Sequence, residues 1–463
     1  MTESLPLAGV VIAVAALSLA VSPRSVGADG FFGGRSGRGE APGLLTLTFS
    51  QVTTWIFARS LLTAGILGFY YGIAGALAYA AYYLSFLTGA AIIRKLRFKD
   101  GHDTIQGFLS LRFGRAGRHC YNGVTAARLL SEVFANLLVV GIVFGAQGSS
   151  DYTLAVVGVA GVALAYSLFG GLRASLVTDV VQMSLFLATL GLLLVFVAGA
   201  DGLSIGAIAQ SSPDLTSPGW VLLAVALLQV WSYPMHDPVM MDRGFLSDRK
   251  ITLASFYHAA WISALCILAF GLLGVYAGLN AQEGEDMIAA LTRLLGSGPM
   301  LVFNAALLIS AMSTLDSSLS SASKLVVVDN RWLSPTVSNG RIVMAAFMVV
   351  GLGLVFLDND DLFAAVAVSG TASMFLAPVI FFSLWGGRDV PTWSFVTAFA
   401  LAIGGAALYF VEQAAYTDWI TLVDHKYSKL LIICLAVLAG GCLAFAIGAA
   451  QRGWRAARLS APA

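Results

Sequence analysis

Residues 310–329 read SAMSTLDSSLSSASKLVVVD and follow directly on the apolar run MLVFNAALLI. On a helix turning by about 100° per residue, Ser310, Ser313, Thr314, Ser317 and Ser321 share one face, with Asp316 on the flank beside Ser313, Ser317 and Ser320. A strip of hydroxyls with one carboxylate is a hard-oxygen surface. It suits an alkali cation that trades hydration water for oxygen ligands; thiolates or imidazoles would suggest a transition metal instead. The competing use is close helix packing, with hydroxyls bonded to carbonyls one turn earlier. Asp316 favours the cation, because packing does not require a buried charge. Three other ionisable features lie in equally apolar surroundings: Arg59, the pair Arg128 and Glu132, and Asp179.

Composition says what must position these groups. The chain is 58% hydrophobic and only 11% charged, whereas a soluble domain carries about 25% charged residues, so this is a polytopic membrane protein. A net charge of +1 excludes the strongly basic face that nucleic acid requires. The four cysteines show neither pairing nor metal-ligand spacing and are read as packing residues. The stretch Leu5 to Val21 is preceded by Glu3 and by no Lys or Arg, unlike the basic start of a signal peptide, and is read as a retained first span.

Spanning helices need roughly 20 apolar residues. Thirteen segments qualify: 5–22, 44–70, 72–93, 122–147, 152–170, 174–200, 219–236, 252–278, 300–328, 339–357, 361–385, 391–412 and 428–450. The expected fold is all-α, a single transmembrane domain over 1–463 with about 13 transmembrane helices. Of the 26 Lys and Arg residues, 21 fall on one side, Arg293, Lys426 and Lys429 on the other, and Arg59 and Arg128 within spans. The basic side is cytoplasmic, which puts the N-terminus outside, the C-terminus inside, and the acidic stretches 283–286 and 357–361 outside. A bacterial plasma membrane is the expected location.

A charge within a span costs about 2.5–3.5 kcal/mol on insertion scales, so each is a functional candidate. Two spans are also weakened at mid-depth. One is TFSQVTTWIFAR (48–59), with Thr53 and Thr54 near its centre; the other is QVWSYPMHDP (229–238), where Pro234 lacks a backbone donor. Broken spans persist only where the freed backbone meets protein or a watery cavity. Paired interruptions in two halves of a chain point to a transporter's central site, and these two open successive groups of five spans.

These residues also carry a family resemblance. YSLFGGLRASLVTDVVQ (166–182) is similar to the signature of the sodium:solute symporter family, and AMSTLDSSLSSAS to its sodium-binding helix. FFGGRSGRG (31–39), TIQGFLSLRFGR (104–115) and SGTASMFLAPVIFFSLW (369–385) resemble its loops and tenth core helix. The resemblance implies a LeuT-type fold: two inverted five-helix repeats, 44–200 and 219–385, a leading helix at 5–22 and trailing helices at 391–450. It implies a main sodium site from the carbonyls of Thr53, Ile56 and Ser310 with the hydroxyls of Ser313 and Thr314. A second sodium, held by some members, maps to Asp179, Ser313, Asp316 and Ser317. The alternative for Asp179 is a transient stop on the cytoplasmic exit route.

The resemblance implies sodium-coupled uptake of a small polar solute across the bilayer, with Na+ as coupling ion, no other cofactor and no obligate protein partner. Proline carriers of the family have an aspartate two residues after the Thr53 position; Trp55 stands there, which weakens a proline reading. Arg59, one turn past the first break, can clamp a carboxylate bidentately or pair internally with Glu132. Trp231 and Tyr233 at the second break either stack on the solute or pack; Thr54 and Asn136 are placed with them as solute residues, and Arg128 is read as structural. A proton-coupled carrier, with protons on Asp179 and Asp316, and a symporter for an amine, a choline-like cation or urea remain alternatives. No catalytic set is legible: FFGGRSGRG lacks the strand and Lys-Ser/Thr ending of a phosphate loop, and His236-Asp237 has no nucleophile or metal partner in the sequence.

Overall fold

The computed structural model describes residues 4–24, 26–356, 362–414 and 416–460; the acidic stretch at 357–361 lies outside them. Helix follows helix from Ser4 to Ser460, and no strand occurs among the described residues. Nine helices among these residues are long and apolar enough to cross a membrane, and Leu5–Val21 and Pro218–Gln229 are shorter apolar helices.

Single glycines make several of the turns. Ser150–Ala198 runs 49 residues, far more than one crossing needs, and is divided at Gly171, whose φ of 54° is left-handed and free of cost only for glycine. Gly72 bends Ala58–Ala81 in the same way at φ 60°. There the chain folds back, so that Gly75 meets the carbonyl of Leu67. Ser211 and Ser212 lock that turn: Ile73 N–H donates to Ser211 Oγ at 2.8 Å, and Ser212 Oγ donates to the Tyr71 carbonyl at 2.7 Å.

Both expected breaks are present. The first helix, Leu44–Trp55, stops at Ile56 (φ −85°, ψ 62°) and the chain resumes as Ala58–Ala81. The second, Pro218–Gln229, gives way to the short helices Tyr233–His236 and Pro238–Arg243. The second half of the first broken span, in Ala58–Ala81, packs on Arg249–Leu279 through glycines. A Cβ on Gly274 would strike the carbonyl of Gly65, and one on Gly68 the carbonyl of Gly271, the small-residue contact by which membrane helices approach closely.

The serine helix, Ser297–Lys324, is the centre of the molecule: every residue from Ala305 to Ser323 is buried. Tyr166 anchors it by donating its hydroxyl to the Met312 carbonyl at 2.8 Å. Most of the buried hydroxyls on this helix have partners, Ser318 and Ser323 being the exceptions, and those partners define the site.

Candidate functional site

The first break lies against the serine helix. Ser310 Oγ donates to the freed carbonyl of Ile56, and Thr314 Oγ1 donates to the Ser310 carbonyl at 3.0 Å. Ser313 Oγ donates to Asp179 Oδ1 at 2.8 Å, which leaves its lone pairs free for a cation. The freed Ile56 carbonyl therefore meets the serine helix at Ser310, one turn from Ser313 and Thr314, within the buried stretch Ala305–Ser323. The break is held open by Asn136, whose Oδ1 accepts the Ala58 N–H at 3.1 Å while its Nδ2 donates to the Glu132 carbonyl at 2.8 Å. The amide expected to reach the solute is thus a helix cap in this structure. Thr54 likewise turns inward on its own helix, donating to the Ser50 carbonyl at 2.7 Å.

One turn further along the serine helix is a second cluster. Asp179 Oδ2 accepts Ser50 Oγ at 2.6 Å, Asp316 Oδ2 accepts Thr178 Oγ1 at 2.9 Å, and Ser175 and Ser317 bridge them with their hydroxyls 2.8 Å apart. The residue that the sequence reading left among the cytoplasmic cations, Arg243, enters this cluster fully buried. Its Nη2 donates to Ser317 Oγ at 2.9 Å and lies 3.8 Å from Asp179 Oδ2; its Nε donates to Ser50 Oγ at 3.1 Å. Asp179, Asp316, Ser313 and Ser317 are brought together as expected, with a guanidinium already among them. The signal for Arg243 was indirect: a buried carboxylate needs a counter-charge, and this arginine closes the short helix that follows the second break.

Around the breaks is a third set of charges. Glu132 pairs with Arg128, and Arg128 Nη2 also meets Asp237 Oδ2 at 3.1 Å. Asp237 in turn caps Pro238–Arg243 by accepting the Met240 N–H at 3.0 Å. Arg59 is left over. It is fully buried, and none of its three nitrogens has a hydrogen-bond partner among the described residues. Its guanidinium carbon lies 5.1 Å from the centre of the Phe57 ring, which Arg128 approaches from 5.8 Å. Phe57, Trp55, Tyr79, Tyr82, Tyr83, Tyr233 and Arg128 line a cavity of about 20 Å³ between the two breaks. Trp55 and Tyr233 meet edge to face there, with centroids 5.5 Å apart. Trp231 lies outside this cluster, 40% exposed and against Phe381 and Trp385.

His236 is buried and fully bonded. Its Nδ1 lies 2.6 Å from the Tyr233 carbonyl, which only accepts, so Nδ1 carries the proton; Nε2 then accepts from Ser369 Oγ at 3.1 Å. A larger cavity of about 730 Å³ opens between the leading helix, the second half of the first broken span and the serine helix. Its walls, including Leu62, Ile66, Met300 and Leu307, are mainly apolar, with Asp286 and Asn304 among the polar exceptions. It holds neither break.

Two interrupted helices beside a buried polar helix are the architecture of a LeuT-type fold. The resemblance to the sodium:solute symporter family stands: that family's model matches residues 31–217. The chain is 26% identical over 345 residues to the high-affinity proline transporter PutP of Bacillus subtilis (strain 168), covering 68% of this chain and 72% of that one. Among solved structures it is similar to a substrate-bound, outward-open Na+-coupled sialic acid symporter (TM-score 0.71, 14% identity, 96% of this chain and 98% of that chain). It is also similar to Mhp1, a nucleobase-cation-symport-1 family transporter in a closed conformation (TM-score 0.56, 17% identity, 93% and 95% of the two chains). At these identities the solved structures speak for the fold alone.

Proposed function

We propose that this chain is a sodium-coupled secondary active symporter that imports a small carboxylate-bearing or zwitterionic solute. The observation that supports the reading is the contact of the freed Ile56 carbonyl with Ser310, one turn from Ser313 and Thr314 on the serine helix. One sodium is bound there by the carbonyls of Thr53, Ile56 and Ser310 and the hydroxyls of Ser313 and Thr314. Because its ligands come from both the broken helix and the serine helix, the ion joins two parts that must separate for transport. Asp179, Asp316 and Ser317 form the stop on the exit route, where Arg243 competes with the departing ion for the same carboxylate. Arg59 holds the solute, with Trp55 and Tyr233 as walls.

Each charge moved inward down a potential of about 100 mV supplies roughly 2.3 kcal/mol, so one sodium per cycle is a useful drive. The whole chain acts as one transporter domain in a bacterial plasma membrane, its repeats at 44–200 and 219–385, its N-terminus outside and its C-terminus inside. The test is uptake of a carboxylate panel into proteoliposomes under an inward sodium gradient, with potassium as control. Ser313→Ala combined with Thr314→Ala should abolish the sodium-dependent part. Normal uptake by that double variant would mean the sodium site is elsewhere.

A further inference from the structure

We propose that the transported solute is a monocarboxylate with an apolar or aromatic body, rather than an amino acid, an amine or a sugar. The inference rests on the symporter reading above and narrows its solute class. It comes from counting which hydrogen-bonding groups around the two breaks are still unused.

Among side chains the unused groups are chiefly donors; the exceptions are the Glu132 oxygens, which have no hydrogen-bond donor but are ion-paired with Arg128, and Gln51, Thr63 and Ser85, which can donate or accept. Arg59 offers all three of its nitrogens unpartnered, and Trp55, in the cavity wall, offers an unpartnered Nε1–H. Leaving buried donors unpaired costs about 1–3 kcal/mol each, more when they are charged, so a fully buried guanidinium with no partner calls for an anion. A carboxylate is acceptor-only and matches the planar fork of arginine bidentately.

Acceptors, by contrast, are committed. At the first break the Trp55 carbonyl accepts from Tyr83 at 2.7 Å, the Phe57 carbonyl from Ser60 at 3.0 Å, and the Ile56 carbonyl from Ser310. At the second, the Val230 carbonyl accepts from Thr88 at 2.6 Å, the Gln229 carbonyl from Ser232 at 3.2 Å, and the Tyr233 carbonyl from His236 at 2.6 Å. Each of these carbonyls keeps one lone pair, so an ammonium or a sugar hydroxyl would have to share an acceptor already in use, whereas a carboxylate meets donors that have no partner. The two acids, Glu132 and Asp237, are both ion-paired with Arg128. The remaining unpaired amide, Gln51, lies one turn from Trp55 and donates as readily as it accepts.

The walls fix the rest of the solute. Trp55 meets Tyr83 at 5.5 Å, Phe86 at 5.1 Å and Tyr233 at 5.5 Å, and Tyr82 meets Tyr233 at 5.9 Å. Such a box would also suit a quaternary ammonium by cation–π attraction. Here two guanidiniums already lie over its Phe57 edge, and a third cation would face both. The body these walls favour is uncharged and apolar or flat, and the cavity, at about 20 Å³, widens to admit it.

The test is thermal unfolding of the purified full chain in detergent, in sodium chloride and in potassium chloride. The probes form matched sets: phenylacetate, phenylalanine and phenethylamine; butyrate, 2-aminobutyrate and butylamine; and glucose. Phenylacetate or butyrate should stabilise in sodium, ahead of the amino acid and the amine of the same set. Arg59→Gln should weaken that carboxylate roughly 10- to 150-fold, the range for one hydrogen bond to a charged group, and Trp55→Phe should weaken it with the ring kept. If neither variant folds, the wild-type ranking decides. An amino acid, an amine or glucose ranking first, or no carboxylate stabilising at all, overturns the solute class; sodium alone stabilising the chain over potassium would still leave the symporter reading standing. A chain indifferent to sodium under every condition would remove that reading as well.

Discussion

Replacing Arg243 with methionine removes a charge while keeping much of the volume, and the structure sets the size of the effect. The guanidinium lies 3.8 Å from Asp179 Oδ2 and donates to Ser317, Ser50 and the Val239 carbonyl at 2.9, 3.1 and 3.2 Å, all without solvent contact. Breaking a buried ion pair by removing one partner costs about 3–5 kcal/mol, because the other charge is left uncompensated. Arg243→Met should therefore destabilise by that amount in potassium. Sodium should return part of it: an ion at 100 times its dissociation constant stabilises by about 2.7 kcal/mol, and the vacated position beside Asp179 and Asp316 then suits a cation. Adding Asp179→Asn should recover most of the loss, since replacing both partners is often neutral where removing one is not. The assay is equilibrium unfolding in mixed micelles titrated with dodecyl sulfate, run as a double-mutant cycle in sodium and in potassium. A loss below about 1 kcal/mol, or losses for Arg243→Met and Asp179→Asn that simply add, would refute the claim that the arginine neutralises this cluster.

Asn136→Ala removes the acceptor for the Ala58 N–H and should cost about 0.5–2 kcal/mol, as loss of a cap does, with weaker sodium binding because the break is no longer held open; unfolding and sodium titration of the same sample check both. Glu285 is half-buried, and its carboxyl is held down to about 2 by the hydrogen bonds it accepts from the Arg293 guanidinium. A depressed carboxyl contributes stability above its ordinary value near 4.3 and loses it as pH falls towards 2. Protease sensitivity of the 280–296 segment should accordingly rise between pH 5 and pH 2, and Arg293→Gln should show that sensitivity already at pH 6. Gly274→Leu puts a side chain into the Gly65 carbonyl and should cost at least the 1–3 kcal/mol of an overpacked core, read as lost monodisperse protein in size exclusion.

The elements were largely legible because membrane helices announce themselves by length, and a break in one by its hydroxyl and proline content. Both interruptions occur where TFSQVTTWIFAR and QVWSYPMHDP place them, and the serine helix is buried from Ala305 to Ser323. What sequence could not supply was partnership across the chain. Asn136 lies 78 residues from the N–H it caps, and Arg243 lies 68 residues from Ser175 and 74 from Ser317. No local period records such pairs. Arg59 was left open between a solute and Glu132; the structure gives Glu132 to Arg128, one turn earlier on the same helix, an arrangement of i and i+4 that the spacing alone could have suggested. Trp231 and Tyr233 are two residues apart, yet the unwinding between them sends one outward and one into the cavity. The hairpins at Gly72 and Gly171 were placed correctly as span boundaries, although the left-handed backbone that makes them so tight is not encoded in hydropathy.

The most direct test of the sodium site is equilibrium binding of radioactive sodium to the purified chain, compared with the Ser313→Ala/Thr314→Ala variant. Saturable binding that potassium does not displace, lost in the variant while it remains folded, is the expected result. Binding in the variant equal to that of the unaltered chain, or no saturable binding to either, would contradict the assignment of sodium to the crossing of the first broken helix and the serine helix.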